Sequence, residues 1–362
     1  MMDRISLYEP ANVAFCGGNV IGSRHPFTKR LFITGSGIGV ALSGLPFDDI
    51  RALISQLPQA DGQAPALAAM RSEAVSAHTG TMPAETALMS WLAAWSGKSP
   101  KVERPLMALF AGTHGVAGGA GEADTLDAVT RLAAGGSAVN QICASQDIGL
   151  KVFDLALQIP VGDITETAAM DEKGAAGTIG FGMEAIAGGV DLLGLAAFGK
   201  GGEVADAVLL ELVLQQDREA ALGFAGIDPA GERARQVESA ILLHGDAAGD
   251  PLELLRRLGG REHSAIAGAI LAARVNHVAV VLGGIRAWIM ALLLDQIETG
   301  ACAHCAVAGG EAGGLAGLAA RKCAMPHVLA GFGQSGEGMQ AALAIGLLKG
   351  LAAAHDGFAE TV

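Results

Sequence analysis

Aromatic side chains are scarce in this 362-residue chain, at 4% of the composition, with one Tyr and three Trp. Its apolar mass therefore rests on Ala, Leu, Val and Ile, the usual filling of parallel sheets covered by helices. Charge is sparse as well, at 17%, and the balance is acidic, with a net charge of −13. Nucleic acid and anionic membranes both require a basic surface, so neither fits as the main partner. Any phosphate-bearing ligand must then be met by local groups, such as helix N-termini or single Lys and Arg residues. Cysteines number five, unevenly scattered and with no secretory signal before them, which points to a reduced cytoplasm. No clean apolar run reaches the roughly 20 residues of a membrane span. The longest, 278–294, carries Arg286 near its middle and reads as a buried strand followed by a helix.

What the chain has in quantity is hydrophobic residues (51%) and glycine, 52 in all. That glycine content is about twice the average usage of roughly 7%. The glycines lie between apolar runs and form no repeat, so they read as strand-to-helix turns and backbone-lined ligand loops. The length allows one large domain with a smaller appendage, or two modest domains.

Residues 1–42 are mixed in composition and look like an extension. Within them, Leu31-Phe-Ile-Thr34 followed by Gly35-Ser-Gly37-Ile-Gly39 imitates a dinucleotide loop. It lacks both an acidic partner about twenty residues on and a helical pattern after the last glycine. From 45 to 97 the pattern is helical. A strand-then-helix rhythm begins at Pro105, with strands expected at 106–110, 150–157, 190–196, 278–282 and 327–330. Helices are expected at 126–134, 183–187, 204–214, 232–243, 263–274, 285–297 and 339–354. One further helix has marked ends, with Asp250 to cap it, Pro251 at its first position and Gly259 after its last turn. The alternation implies an α/β fold with a doubly wound, mostly parallel sheet, whose ligand crevice lies at the carboxyl ends of the strands.

Several constellations there are candidates for chemistry. Gly112-Thr113-His114-Gly115 follows a strand, and reads either as a ligand loop with His114 as a contact or as a tight turn with a hydrogen-bonded histidine. Gly135-Gly136 reads as a phosphate-facing turn or as a helix stop. Gly199-Lys200-Gly201-Gly202 lies between strand and helix, with Lys200 resembling a phosphate-binding lysine, although the spacing is not that of a P-loop. Cys302, His304 and Cys305, with Cys323 and His327, allow a zinc reading, but the spacing is not that of a standard finger and the surroundings read as apolar and helical. No metal is expected. Last, Gly336-Glu337-Gly338 opens the C-terminal apolar helix. A carboxylate between glycines approaches a ligand closely, and a helix N-terminus favours its proton-accepting form; taken alone, it also reads as a helix cap.

The stretches 140–143, 149–157, 162–166, 181–189 and 250–274 carry a resemblance. From about Ser43 onward the chain resembles the nicotinate-nucleotide–dimethylbenzimidazole phosphoribosyltransferase family. The resemblance implies a Rossmann-like core at 101–335 and a small helical domain built from 43–100 and the closing helix 336–362. It also implies a homodimer, a nucleotide and an aromatic base as ligands, and no cofactor. In the implied reaction a benzimidazole nitrogen attacks the ribose C1′ of nicotinate mononucleotide and nicotinate leaves with inversion. The family's general base is the glutamate of a GEGTGA motif, which matches Glu337 between Gly336 and Gly338. The nucleotide loops would be Gly135–Gly136, Gly199–Gly202 and Gly223–Gly226, with His114 lining the cleft.

Departures from the family pattern fall on the ligand loops. GEMGIGNTT becomes the stretch 196–204, with Ala197 in place of the glutamate. KPPGSLG becomes 77–83, keeping only Gly80. LDG becomes Leu282-Gly283-Gly284, and the GxGTG turn contracts to Gly223-Phe-Ala-Gly226. Two readings follow: an active transferase with an altered choice of base, or a catalytically impaired paralogue that serves as a ligand-binding or partner subunit of an intact homologue.

Overall fold

The computed structural model describes residues 13–17, 45–80, 83–333 and 338–357. In chain order these form β1 (Val13–Gly17), α1 (Pro46–Ile54), α2 (Ala64–Thr79), α3 (Pro83–Ser96), β2 (Pro105–Ala111), α4 (Gly118–Ala133), α5 (Ala138–Gln146) and β3 (Gly149–Asp154). There follow α6 (Glu172–Gly182), β4 (Leu192–Phe198), α7 (Gly202–Leu214), α8 (Arg218–Ala225), α9 (Glu232–His244), α10 (Pro251–Leu258) and α11 (Arg261–Val275). The chain ends with β5 (Ala279–Leu282), α12 (Ile285–Ile297), β6 (Cys305–Gly310), α13 (Leu315–Lys322), β7 (His327–Ala330) and α14 (Met339–Gly357). The seven strands make one sheet, every pairing parallel, in the order β1-β3-β2-β4-β5-β6-β7.

Helices cover both faces, and the strand residues alternate between them as a pleated backbone requires. In β2, Leu106, Ala108 and Phe110 join the core that holds α6, α7, α11 and α12. Met107 and Leu109 point to the opposite core, under α3, α5 and α14. Val280 and Leu282 of β5 and Val307 of β6 face the first core; Val281, Ala306 and Ala308 face the second. The run 278–294 is the strand-plus-helix pair β5–α12, as its embedded arginine suggests. Among the described residues no helix is long and apolar enough to cross a membrane.

Several expectations need correction. The extension contributes an edge strand, because β1 pairs with β3 from Val13↔Leu150 to Gly17↔Asp154. The second expected strand ends at Asp154, where that side chain accepts the Leu157 N–H and turns the chain. The expected helix at 183–187 is a short 3₁₀ turn closing the longer α6. Of the cysteine set expected in helical surroundings, Cys302 and His304 lie in a turn and Cys305 opens β6, between β5 and β7. The glycine-rich imitation at 31–39 lies outside the described residues. The capping of α10 is as expected, with Asp250 Oδ1 accepting the Leu252 and Glu253 N–H groups.

Candidate active site

Strand order places the ligand crevice. After β2 the chain moves to β3 on one side, then returns to β4 on the other, so β2 and β4 flank the switch in winding direction. Ligands of such sheets bind at the carboxyl ends of those two strands. Here these ends carry the loops Gly112-Thr113-His114 and Gly199-Lys200-Gly201-Gly202. The loops are locked together: the Gly112 N–H donates to the Phe198 carbonyl at 3.1 Å. A Cβ at Gly199 would run into the Gly112 carbonyl, and one at Gly202 into the Arg286 guanidinium. The Lys200 N–H donates to the buried Thr125 hydroxyl of α4 at 3.1 Å, leaving the Lys200 side chain exposed. Gly202 is the first residue of α7, so the N-terminus of a 13-residue helix stands at the crevice, with its Gly202 and Val204 N–H groups donating to the Gly199 and Gly201 carbonyls.

Beneath the loops lies a buried ionic cluster. Glu262 and His263 come from the first turn of α11, Arg286 from the first turn of α12, Asp206 from the start of α7, and His114 from the β2 loop. His114 Nε2 donates to Glu262 Oε1 at 2.6 Å. His263 Nε2 donates to Asp206 Oδ1 at 2.8 Å, and its Nδ1 accepts the Gly260 N–H at 3.0 Å. Arg286 lies between the carboxylates, with Nε 3.4 Å from Asp206 Oδ2 and one terminal nitrogen 3.7 Å from Glu262 Oε1. Its other terminal nitrogen donates to the Gly199 carbonyl at 2.7 Å. The cluster thus supports one crevice loop through Arg286 and the other through His114.

Burial alone would raise the Glu262 pKa, but His114 and His263 beside it hold the carboxyl well below the usual carboxylate range. The carboxylates of Asp206, Glu262 and Glu203 keep the buried Arg286 cationic against the same desolvation. Burial opposes charge on His263 too, while Asp206 and Glu262 draw it toward the cation. We assign the Nε2–H tautomer, because the Gly260 N–H occupies the Nδ1 lone pair.

The sequence motifs named only His114 of this cluster. Its side chain is buried and hydrogen-bonded, 2% exposed, beneath the crevice floor. Asp206, Glu262, His263 and Arg286 went unmarked, although Arg286 within an apolar run and Glu262-His263 opening an apolar helix were visible signals. His114, Glu262 and His263 hold ligand-type atoms within 4.8 Å of one another. However, His263 has both ring nitrogens engaged, and Arg286 already supplies the positive charge beside Glu262. The cysteine set gathers no such group among the described residues: His304 Nε2 donates to the Ile270 carbonyl at 2.9 Å, and burial pushes its pKa down to about 3.

The remaining candidates are not part of this cluster. Gly135 and Gly136 end α4, their N–H groups bonded to the Leu132 and Arg131 carbonyls. At the start of α5, Asn140 Oδ1 then accepts the Ser137 N–H at 3.1 Å. Gly223 is in the last turn of α8, and Gly226 is its left-handed cap with φ 70°. Among the described residues, no hydrogen bond joins either pair to the strand-end loops. Gly336 and Glu337 lie outside the described residues. Gly338 lies within them, where a Cβ would stand 2.7 Å from Leu109 of β2 and 3.3 Å from Ala196 of β4. Those two residues are register partners near the carboxyl ends of the flanking strands.

A phosphoribosyltransferase family model matches residues 57–361. A nicotinate-nucleotide–dimethylbenzimidazole phosphoribosyltransferase of Sinorhizobium sp. is 44% identical over 330 residues, covering 88% of this chain and 97% of its own. The enzyme of the same name from Agrobacterium fabrum is 44% identical over 88% of this chain and 95% of its own. A crystal structure of the Thermus thermophilus enzyme shares the fold, with a TM-score of 0.68 at 24% identity, covering 82% of this chain and 96% of that one. This chain belongs to the nicotinate-nucleotide–dimethylbenzimidazole phosphoribosyltransferase family.

Proposed function

We propose that this protein transfers the phosphoribosyl group of nicotinate mononucleotide to a benzimidazole-type base, giving the α-ribazole phosphate of the cobalamin lower ligand. The observation that carries the reading is the position of Gly338, which brings the start of α14 against Leu109 and Ala196, beside the two crevice loops. The preceding residue in the chain is Glu337, the glutamate that matches the family's base. An azole nitrogen forms the new bond to C1′ as the bond from C1′ to the nicotinate nitrogen breaks. Nicotinate leaves with that electron pair, and Glu337 accepts the azole proton. The α7 N-terminus, with the Gly201 N–H before it and Lys200 at the loop edge, supplies local positive potential for the phosphate on an otherwise acidic protein. Gly135–Gly136 and Gly223–Gly226 are the further loops proposed to hold the nucleotide. Packing of α14 on α2 and α3 supports the small helical domain formed by 43–100 and 336–362.

Purified protein mixed with nicotinate mononucleotide and 5,6-dimethylbenzimidazole should release nicotinate and form α-ribazole phosphate in equal amounts, followed by chromatography and mass spectrometry. Glu337→Gln should lower kcat by about 10²–10⁴-fold, the usual contribution of a general base. Absence of turnover with any benzimidazole or phenol would overturn the catalytic reading and leave the ligand-binding or partner-subunit alternative. A homodimer, the assembly implied by the family, should give twice the chain mass of 36.4 kDa in light scattering.

A further inference from the structure

Two arginines are buried among the described residues, and only one has a counter-ion. Arg286 sits between Asp206 and Glu262. Arg274, in the last turn of α11, is 3% exposed and faces no carboxylate of the described residues within ion-pair distance. Its Nε donates to the Pro58 carbonyl at 2.7 Å, and its guanidinium lies 4.0 Å from the centre of the Trp95 ring. One terminal nitrogen is fully buried and donates to nothing. The core side offers only neutral company. Burial and then Arg274 itself keep His304 uncharged, with its pKa at about 3, and Cys302 is pushed well above the usual thiol range. Buried cations are ordinarily paired, and an unpaired donor in the interior is costly.

A cavity of about 220 Å³ opens beside this guanidinium, with Trp95, Ile54 and Leu57 as its apolar lining and Ser55, Gln59, Thr299 and the exposed Glu298 as its polar lining. Arg274 precedes β5, and the lining residues Ala301 and Ala303 precede β6. The cavity therefore sits at the amino end of the sheet, opposite the crevice. We propose that it is a second ligand site, which binds a small carboxylate with an apolar body: the carboxylate on Arg274, the body against Trp95, Ile54 and Leu57. A planar carboxylate suits the planar fork of a guanidinium that has no carboxylate partner. A doubly charged phosphate suits the site less well, because the lining sets the Glu298 carboxylate against its one cation.

Benzoate is the probe, with benzamide as its neutral counterpart and inorganic phosphate as the competing anion. Calorimetry on the full-length protein should show saturable binding of benzoate at one site with Kd at or below about 1 mM. The Trp95 indole resonance, assigned through Trp95→Phe, should shift with the same midpoint. Arg274→Lys, which keeps the charge and loses the planar fork, should weaken binding about tenfold or more, and Arg274→Met should abolish it. Ala303→Leu fills the cavity with Arg274 untouched and should also abolish binding, which decides the matter even if Arg274→Met does not fold. No benzoate binding up to about 10 mM, equal affinity in Arg274→Lys or Ala303→Leu, or equal binding of benzamide or phosphate would each overturn the proposal.

Discussion

Replacing Arg286 by Met keeps the length of the side chain and removes its charge from the floor of the crevice. Asp206 and Glu262, 2% and 0% exposed, then face each other without their cation, and the Gly199 carbonyl loses its 2.7 Å donor. Removing one partner of a buried ion pair costs about 3–5 kcal/mol because the other charge is left uncompensated. The orphaned carbonyl belongs to the same event, so the two penalties overlap and about 4 kcal/mol is the expected loss. Melting temperature moves by roughly 2–4 °C per kcal/mol for 150–250 residues and less for longer chains. The expected fall by scanning calorimetry is therefore about 5–8 °C. Arg235, exposed and paired with Glu232, provides the contrast. Arg235→Ala should cost under about 1 kcal/mol. Adding Asp206→Asn to Arg286→Met should recover part of the loss by removing one unpaired charge. Because Arg286 holds Gly199, KM for nicotinate mononucleotide should rise by more than kcat falls. A melting point within about 1 °C of wild type, or an Asp206→Asn loss that adds in full, would refute an electrostatic floor.

Two further outcomes follow from the same geometry. Gly202→Ala places a methyl group against the Arg286 guanidinium and should cost about 1–3 kcal/mol in urea unfolding; a neutral result would mean that the loop shifts freely. Glu253 accepts from Arg256 and Arg257, which hold its pKa at about 2, below the usual 4.5. Its stabilising contribution is thus present above about pH 4.5 and lost as pH falls toward about 2. The melting-point gap between wild type and Glu253→Gln should be constant near neutrality and close through that window; a gap unchanged at pH 3 would contradict the assignment.

Strands with branched or bulky apolar residues, such as β2 and β5, were legible in the sequence, and so was α10, with its Asp cap and Pro start. β6 was not, because Cys-Ala-Val-Ala-Gly-Gly carries little β-forming bulk and follows a Cys-x-His-Cys run that draws attention to metal chemistry. In the structure its small residues serve packing: Ala306 and Ala308 admit the core beneath α14. The glycine loops after β2 and β4 were legible because glycines at strand ends are a local signal. The cluster beneath them has no local signal. Asp206, Glu262, His263 and Arg286 become a unit only when three separate helices start at the same end of the sheet.

That origin bears on the altered loops. Two of the stretches that carry the resemblance, 181–189 and 250–274, meet in one contact. A Cβ at Gly182 would strike the Ala265 backbone, and one at Gly268 the Ile179 backbone, so α6 and α11 touch main chain to main chain. This contact fixes the first turn of α11, and with it Glu262 and His263 under the β2 and β4 loops. Of the segments that depart from the family, 196–204 and 282–284 lie at that floor, the first through the Gly199 carbonyl on Arg286 and the second just before α12, which carries Arg286. Substitutions placed there change which groups face a bound nucleotide and base while the floor that carries the loops stays in position. They are therefore expected to act on ligand choice and KM before they act on folding. Ala197, next to the Phe198 carbonyl that binds Gly112, is the first place to look: Ala197→Glu restores the family's carboxylate at a half-buried strand end. If the floor is intact, the variant should change base preference with little change in melting temperature.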